Sequence, residues 1–334
     1  MMIGSDSHQV ERKVISILKI LSESPQPLGA RLIARQLKEE GLELGERAVR
    51  YHLKLMDERG LTRPAERWDG REITPLGKEE LSNALVADKI GFVLEKIELL
   101  AFRTSFDIER RTGLIPVNIS FFPKKNFTKT LQVVKKAVDA GFCVSDLVAV
   151  VPEGERLGEV IVPRDRVGLA TVCSIVINGS LLKAGVPIDS KFGGVLQIQN
   201  NQPLRFVNLI YYSGSTLDPS EVFIQAKMTD VQGAIRKGEG KVLANFREIP
   251  AQCQPLVEKV INQLKEVGLG GLIKMGNVSE AVCGIPLGLN RMGMILLGGL
   301  TPVAAAEEVG IMAENRAMST LIEYQNLTRI GDLT

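Results

Sequence analysis

One stretch of this sequence occurs twice. Val162-Pro163 followed by Arg166-Val167-Gly168 recurs as Ile285-Pro286 followed by Arg291-Met292-Gly293. In each copy an apolar strand leads to a small-residue turn, Asn178-Gly179 or Gly298-Gly299. Each copy then closes at a Val/Gly pair, Gly185-Val186 or Val309-Gly310. No other feature constrains the fold as strongly, because a repeated pattern in one chain implies two related half-structures about an internal pseudo-dyad. Clefts at such interfaces commonly take small ligands.

The surrounding pattern fills in both halves. In the first, Val117, Ile119 and Phe121 alternate with Asn118 and Ser120, which predicts a strand. Residues 126–140 predict a helix burying Leu131, Val134 and Val138 and ending at Gly141; 147–151 and 167–177 predict further strands. In the second, 241–246 predicts a strand, 255–267 a helix, and 269–274 and 291–297 two strands. Thr301-Pro302 reads as N-cap and first turn of a helix over 303–309, so its counterpart over 180–184 is expected to be helical too. Between the copies, 194–199 and 204–212 flank Asn200-Asn201-Gln202-Pro203 as a hairpin.

No catalytic set emerges. The chain has no G-x-S-x-G, P-loop, H-E-x-x-H or G-x-G-x-x-G, and no histidine beyond His52 to act as a base. Gly193-Gly194 and Gly298-Gly299 read as tight turns. Arg166 and Arg291 stand at equivalent repeat positions and could clamp a dicarboxylate, since guanidinium pairs bidentately with carboxylate; alternatively each pairs with an internal acid or caps a helix. Lys183 and Lys191 are weaker candidates, and Cys173 reads as a small core residue.

The first eighty residues are different in kind. Val10, Val14, Ile17, Leu18 and Leu21 share one helix face, stopped by Pro25 and Pro27; Ala30, Ile33, Ala34 and Leu37 share another. A third helix over 46–59 buries Val49, Leu53 and Met56 and closes at Gly60. Its opposite face carries Arg47, Arg50, Tyr51 and Lys54, spaced to enter a major groove; the alternative is a solvated helix face in a protein–protein module. Residues 61–73, with Arg63, Arg67, Trp68 and Arg71 around Asp69-Gly70, read as a hairpin wing. Between Gly45 and Arg71 seven cations face five anions. His52 reads as a packing or capping residue. Thr74-Pro75 starts a further helix, and Val86, Ile90, Val93, Leu94, Ile97 and Leu100 form a stripe for a connecting helix that packs on the second domain or on a dimer mate.

Composition sets limits. Formal charge is +2 over 334 residues, which excludes a globally basic nucleic-acid coat but not a local patch. Residues 1–7 carry no signal-peptide pattern, and the apolar stretch 292–306 is too short and Gly-broken to span a bilayer, so a cytoplasmic protein without membrane contact is expected. Four scattered cysteines and two distant histidines predict neither a metal site nor a disulfide framework, and no cofactor is implied.

The phrase at 171–194, TVCSIVINGSLLKAGVPIDSKFGG, resembles the effector domain of the NrpR nitrogen-regulatory repressors, as do DKIGFVLEKIELLA at 88–101 and VNISF at 117–121. The resemblance covers nearly the whole chain. It implies a repressor of nitrogen-assimilation genes such as those for nitrogenase and glutamine synthetase, released from operator DNA by 2-oxoglutarate. It also implies a homo-oligomer, acting alone or with a separate family subunit, and places Cys173 in a segment tied to inducer response. The expected architecture is a winged helix-turn-helix (1–82), a connecting helix (83–112) and a duplicated α/β (α+β) effector and oligomerisation domain (113–330). The alternatives are an enzyme acting on a small organic acid, with the winged helix as an interaction module, and RNA-linked regulation, which lacks aromatic platforms.

Overall fold

The computed structural model describes residues 4–24, 26–39, 41–65, 70–83 and 91–333, with side chains from residue 13 onward. The chain divides into two compact units, Met1–Lys89 and Ile90–Thr334.

In the first unit, α1 (Gly4–Glu23), α2 (Ala30–Glu39) and α3 (Glu46–Glu58) enclose Ile17, Leu18, Ile33, Leu37, Val49 and Met56. Gly60, at φ +72°, turns the chain out of α3. Strands β1 (Thr62–Pro64) and β2 (Arg71–Ile73) pair antiparallel, and Leu28 bridges to Arg71 as a third element. The hairpin turn expected at Asp69-Gly70 falls partly outside the described residues, as do Arg67 and Trp68. Helix α4 (Pro75–Asn83) is capped by Thr74, whose hydroxyl accepts the Gly77 N–H.

The expected connecting helix belongs to the second unit. Helix α5 (Phe92–Arg103) starts after Gly91, at φ +91°, and buries Val93, Ile97, Leu100 and Ala101 in that unit's core. Val86 and Ile90 lie outside the described residues.

The duplication then unfolds as two β-α-β-β-α-β halves. The first comprises β3 (Leu114–Pro123), α6 (Phe127–Asp139), β4 (Leu147–Val151), a small hairpin of β5 (Arg156–Leu157) and β6 (Val160–Ile161), β7 (Arg166–Val172), α7 (Ile175–Lys183) and β8 (Asp189–Gln199). After the hairpin partner β9 (Gln202–Tyr211) come two short helices, α8 (Pro219–Gln225) and α9 (Val231–Lys237). The second half repeats the order as β10 (Gly240–Pro250), α10 (Gln254–Glu266), β11 (Leu272–Met275), β12 (Arg291–Leu297), α11 (Thr301–Glu308) and β13 (Glu314–Glu323), with a short β14 (Thr328–Arg329) at the end.

The halves exchange their last strands. One sheet runs β11-β12-β10-β8-β9 and the other β13-β3-β7-β4-β14. So β8 pairs with β10 of the second half, while β13 pairs with β3 of the first. Both faces of β3 are buried: even Asn118 and Ser120, which alternate with its apolar residues, are 3% and 1% exposed.

Three local expectations need correction. The strand expected over 167–177 stops at Val172, the last residue paired with β3, and Ile175-Val176-Ile177 open α7 instead. Its residues Ile175–Leu181 are all buried, so this stretch shows no amphipathic period, and a β-branched run mimics a strand. Asn178-Gly179 therefore lies inside α7 and is not a turn. There Asn178 Nδ2 donates to Ser190 Oγ at 3.0 Å, and Gly179 admits the close approach of Thr104. The true counterpart of Gly298-Gly299 is Cys173-Ser174, and both repeat helices end in a left-handed glycine, Gly185 at φ +81° and Gly310 at +82°. Finally, α11 starts at Thr301 with Leu300 as its N-cap, one residue earlier than expected.

At Gly299 the halves touch. A Cβ there would stand 2.4 Å from both Asn118 Nδ2 and the Val172 carbonyl oxygen. Gly299→Ala is expected to destabilise the protein by ~1–3 kcal/mol through overpacking, read as a lower urea midpoint with unchanged slope.

Candidate functional sites

Helix α3 turns His52, Val49, Leu53 and Met56 inward and leaves Arg47, Arg50, Tyr51 and Lys54 exposed, Tyr51 at 62%. Arg50 forms an i,i+4 ion pair with Glu46 on the exposed surface. Such a pair holds by only ~0.3–0.5 kcal/mol and is readily exchanged. Arg47 and Lys54 have no ion pair among the described residues. Burial, and secondarily the Lys13 charge, lowers the His52 pKa. His52 is buried on the core side of α3, in keeping with a packing residue. Arg71 is a correction. It is not a free wing cation: its Nε donates to Asp57 Oδ2 at 2.7 Å, and Asp57 Oδ1 accepts from Thr62 Oγ1 at 2.6 Å. Arg71 thus fastens the wing to the end of α3.

The residues expected to grip an effector do not converge. Arg291 is held by Glu248 at 3.3 Å and Asp189 at 3.8 Å, a network that Lys191 joins through Asp189 at 2.6 Å. Of the two readings of Arg291, pairing with internal acids is the one realised. Arg166 stands opposite Pro123 in the other sheet, the equivalent of Arg291 opposite Pro250. Each arginine begins its strand, so the turn after that strand lies ~20 Å away at ~3.3 Å per residue. Cys173 occupies that turn, buried, its thiol pushed up to about 11 chiefly by desolvation. Lys183 is exposed at the last turn of α7, its pKa lowered chiefly by partial burial.

What does converge is a buried polar centre between the two sheets. Asn118 on β3 and Asn245 on β10 occupy matching positions of the two halves. Asn118 Oδ1 accepts the Met318 N–H at 3.0 Å. Asn245 Oδ1 accepts the Tyr212 hydroxyl at 2.6 Å, and its Nδ2 donates to Ser174 Oγ at 3.0 Å. Beside them lies Arg247, 1% exposed. Its Nε donates to Asn178 Oδ1 at 3.3 Å and its Nη1 to the Phe246 carbonyl at 3.2 Å, while its guanidinium lies 5.1 Å from the Tyr212 ring centre. No carboxylate lies within 4.0 Å of it among the described residues, so a buried cation has only neutral partners. Burial drives the Tyr212 phenol up to about 12.

Asp218 adds an acid to the wall, with Glu221 one turn further along α8 and outside the lining. Asp218 caps α8 by accepting the Ser220 and Glu221 N–H groups, yet burial still raises its pKa. Glu221 accepts the Ala317 N–H at 2.6 Å, and burial lifts its carboxyl to about 7. Asn118, Cys173, Ser174, Asp218, Arg247 and Met318 all line a cavity of about 20 Å³ here. Arg247 escaped sequence reasoning because in the run Leu243–Ile249 it resembles an ordinary outward residue. The available signal was an asparagine set in the apolar first strand of both copies.

Among the described residues no group of His, Cys, Asp and Glu could hold a metal ion, and no helix is long and apolar enough to cross a membrane. Residues 90–329 match the family described as NrpR regulatory domains NRD1 and 2, and residues 15–81 match the ribonuclease R winged-helix domain. The chain is 41% identical to the global nitrogen regulator NrpRI of Methanosarcina mazei, over 96% of this chain and 99% of that one. It is 33% identical to the global nitrogen regulator NrpR of Methanococcus maripaludis over 94% of its length, but spans only 55% of that protein. Among solved structures, a nitrogen repressor-like protein from Methanococcus jannaschii superposes with TM-score 0.62 at 28% identity, covering 71% of this chain and 98% of that one.

Proposed function

The chain belongs to the NrpR family of nitrogen regulators, and from that premise we propose that it represses nitrogen-assimilation genes from operator DNA and releases them on binding 2-oxoglutarate. It is a regulator and not an enzyme, as its relatives are over its full length. In this reading it is a cytoplasmic homo-oligomer with no cofactor besides its inducer, and α3 is the groove-reading helix.

Arg247 carries the effector half of the proposal. A desolvated guanidinium without a carboxylate partner is an anion site in waiting, because burying an unpaired charge costs several kcal/mol that an incoming carboxylate offsets. The geometry also supplies a mechanism. A cavity of about 20 Å³ holds roughly one water molecule. A five-carbon dicarboxylate enters only if the walls part, so it binds an open arrangement and shifts the population toward it. The walls come from both halves, and opening therefore changes how the halves sit against each other.

The test is a gel shift on the DNA upstream of the chain's own gene, with and without 2-oxoglutarate. Binding that the dicarboxylate weakens supports the proposal; indifference to it removes 2-oxoglutarate as the inducer. In the same assay Arg47→Ala and Arg50→Ala are each expected to lose ~1–3 kcal/mol of specific affinity per lost base contact. Unchanged affinity in both would take α3 out of the groove.

A further inference from the structure

A second cavity, of about 440 Å³, opens where β8 ends and β10 begins. Its Lys241 lies ~20 Å along the strand from Arg247, so it is separate from the centre described above. The floor is the sheet: Gln197 on β8 stands directly opposite Lys241 on β10, and both side chains rise from one face. The wall is α9, whose Gln232, Gly233, Arg236 and Lys237 share one side at helical spacing.

Several bonds fix that wall. Glu308 of α11 accepts the Val231 and Gln232 N–H groups, each at 2.8 Å. Asp230 caps α9 through the Gly233 N–H at 2.9 Å, and its backbone exchanges two hydrogen bonds with Lys241. Gly238, at φ +69°, ends the helix. The cleft is thus built before any ligand arrives, and its charge is unbalanced. Arg236, Lys237 and Lys241 have no ion pair among the described residues, and Arg236 donates to the neutral Gln232 Oε1 at 3.0 Å. Of the two acids in the lining, Asp230 is already engaged by the Gly233 N–H, which leaves Glu239.

We propose that this cleft binds a metabolite carrying a chain of two or more phosphates. Three cations around one space match several adjacent anionic oxygens, and guanidinium and ammonium are both strong donors to phosphate. The volume falls among small-molecule sites of ~300–1,000 Å³, so a lone inorganic phosphate would leave most of it to water. None of the lining residues is an aromatic on which a base could stack. Recognition therefore rests on the phosphate chain, and the remaining room takes whatever group carries it.

Isothermal titration of the full-length chain at physiological salt, without divalent cations, uses inorganic tripolyphosphate as the probe, with ATP and citrate beside it. Tripolyphosphate and ATP are expected to bind saturably at one site, with affinities within roughly threefold of each other, because the base finds no platform. Lys237→Glu and Lys241→Glu each set a like charge against the anion and are expected to weaken binding roughly tenfold. Lys274→Glu makes the same change of charge on β11, two strands from β10 and level with Phe246, and is expected to change nothing. Circular-dichroism melts check that these exposed substitutions leave the fold intact. A wild-type chain that does not saturate, an equal loss in Lys274→Glu, or citrate held as tightly as tripolyphosphate would each overturn the site. The titration contains neither DNA nor 2-oxoglutarate, so this cleft and the regulatory reading stand or fall separately.

Discussion

Arg247→Met is expected to lose 2-oxoglutarate while keeping its stability. The guanidinium donates only to neutral oxygens, Asn178 Oδ1 and the Phe246 carbonyl. Replacing a buried ion with an apolar side chain of similar length relieves desolvation, an effect worth ~1–4 kcal/mol in comparable cases. Against this, Asn178 loses a donor, a cost of ~1–3 kcal/mol. The two nearly cancel, and the urea midpoint should scarcely move. Ligand binding has no such compensation: removing one partner of a buried charge pair costs ~2–5 kcal/mol. Isothermal titration should therefore show strong heat for wild type and none for Arg247→Met at the same concentration. Equal heats from the two proteins would mean that the carboxylate is held elsewhere. Arg291→Ala is the informative control, since its ion pairs with Glu248 and Asp189 leave it no role in that site.

Glu221 sets the second large effect. Its carboxyl moves from an ordinary 4.5 to about 7, through burial first and the neighbouring Asp218 charge second, against the opposing pull of the Ala317 N–H, Lys96 and Arg316. Between these values the unfolded chain has already released the proton that the folded chain still holds. Raising the pH therefore favours unfolding. The contribution is full below about 4.5 and is lost as pH rises through about 7, a change of order 3 kcal/mol. Urea midpoints measured from pH 5 to 8 should fall for wild type and flatten for Glu221→Gln, which keeps an acceptor for the Ala317 N–H. A wild-type profile as flat as that of the variant would show that Glu221 is ionised throughout.

Periodicity made the three-helix head legible, because α2 and α3 are amphipathic and each buries a single stripe. It also recovered β4 and β12 to the residue, and the hairpin at Asn200-Asn201, whose two left-handed residues (φ +53° and +59°) suit a tight β-turn. It failed where burial surrounds an element. The α7 residues Ile175–Ile177 have no polar face to betray a helix. Strand β13 went unread because it begins with Glu314, Asn315 and Arg316 and is broken by a bulge before Thr320. The site failed for a related reason. The repeat pointed to Arg166 and Arg291 because they match in sequence, but matched positions at strand starts lie far from the axis. The centre is built from the matched pair Asn118 and Asn245 and from an unmatched Arg247, whose counterpart in the first half is Ser120. Where the halves differ, chemistry becomes possible that symmetry would forbid.

The swapped strands have a consequence for the integrity of the chain. Each sheet borrows its β8 or β13 from the other repeat, so deleting either repeat would strip a strand from the survivor and open an unpaired edge beside β3 or β10. An ancestor with one repeat could have completed its sheets only by trading arms with a twin. In the present polypeptide the two repeats hold each other's sheets closed, and only the second carries an arginine, Arg247, where the first has Ser120.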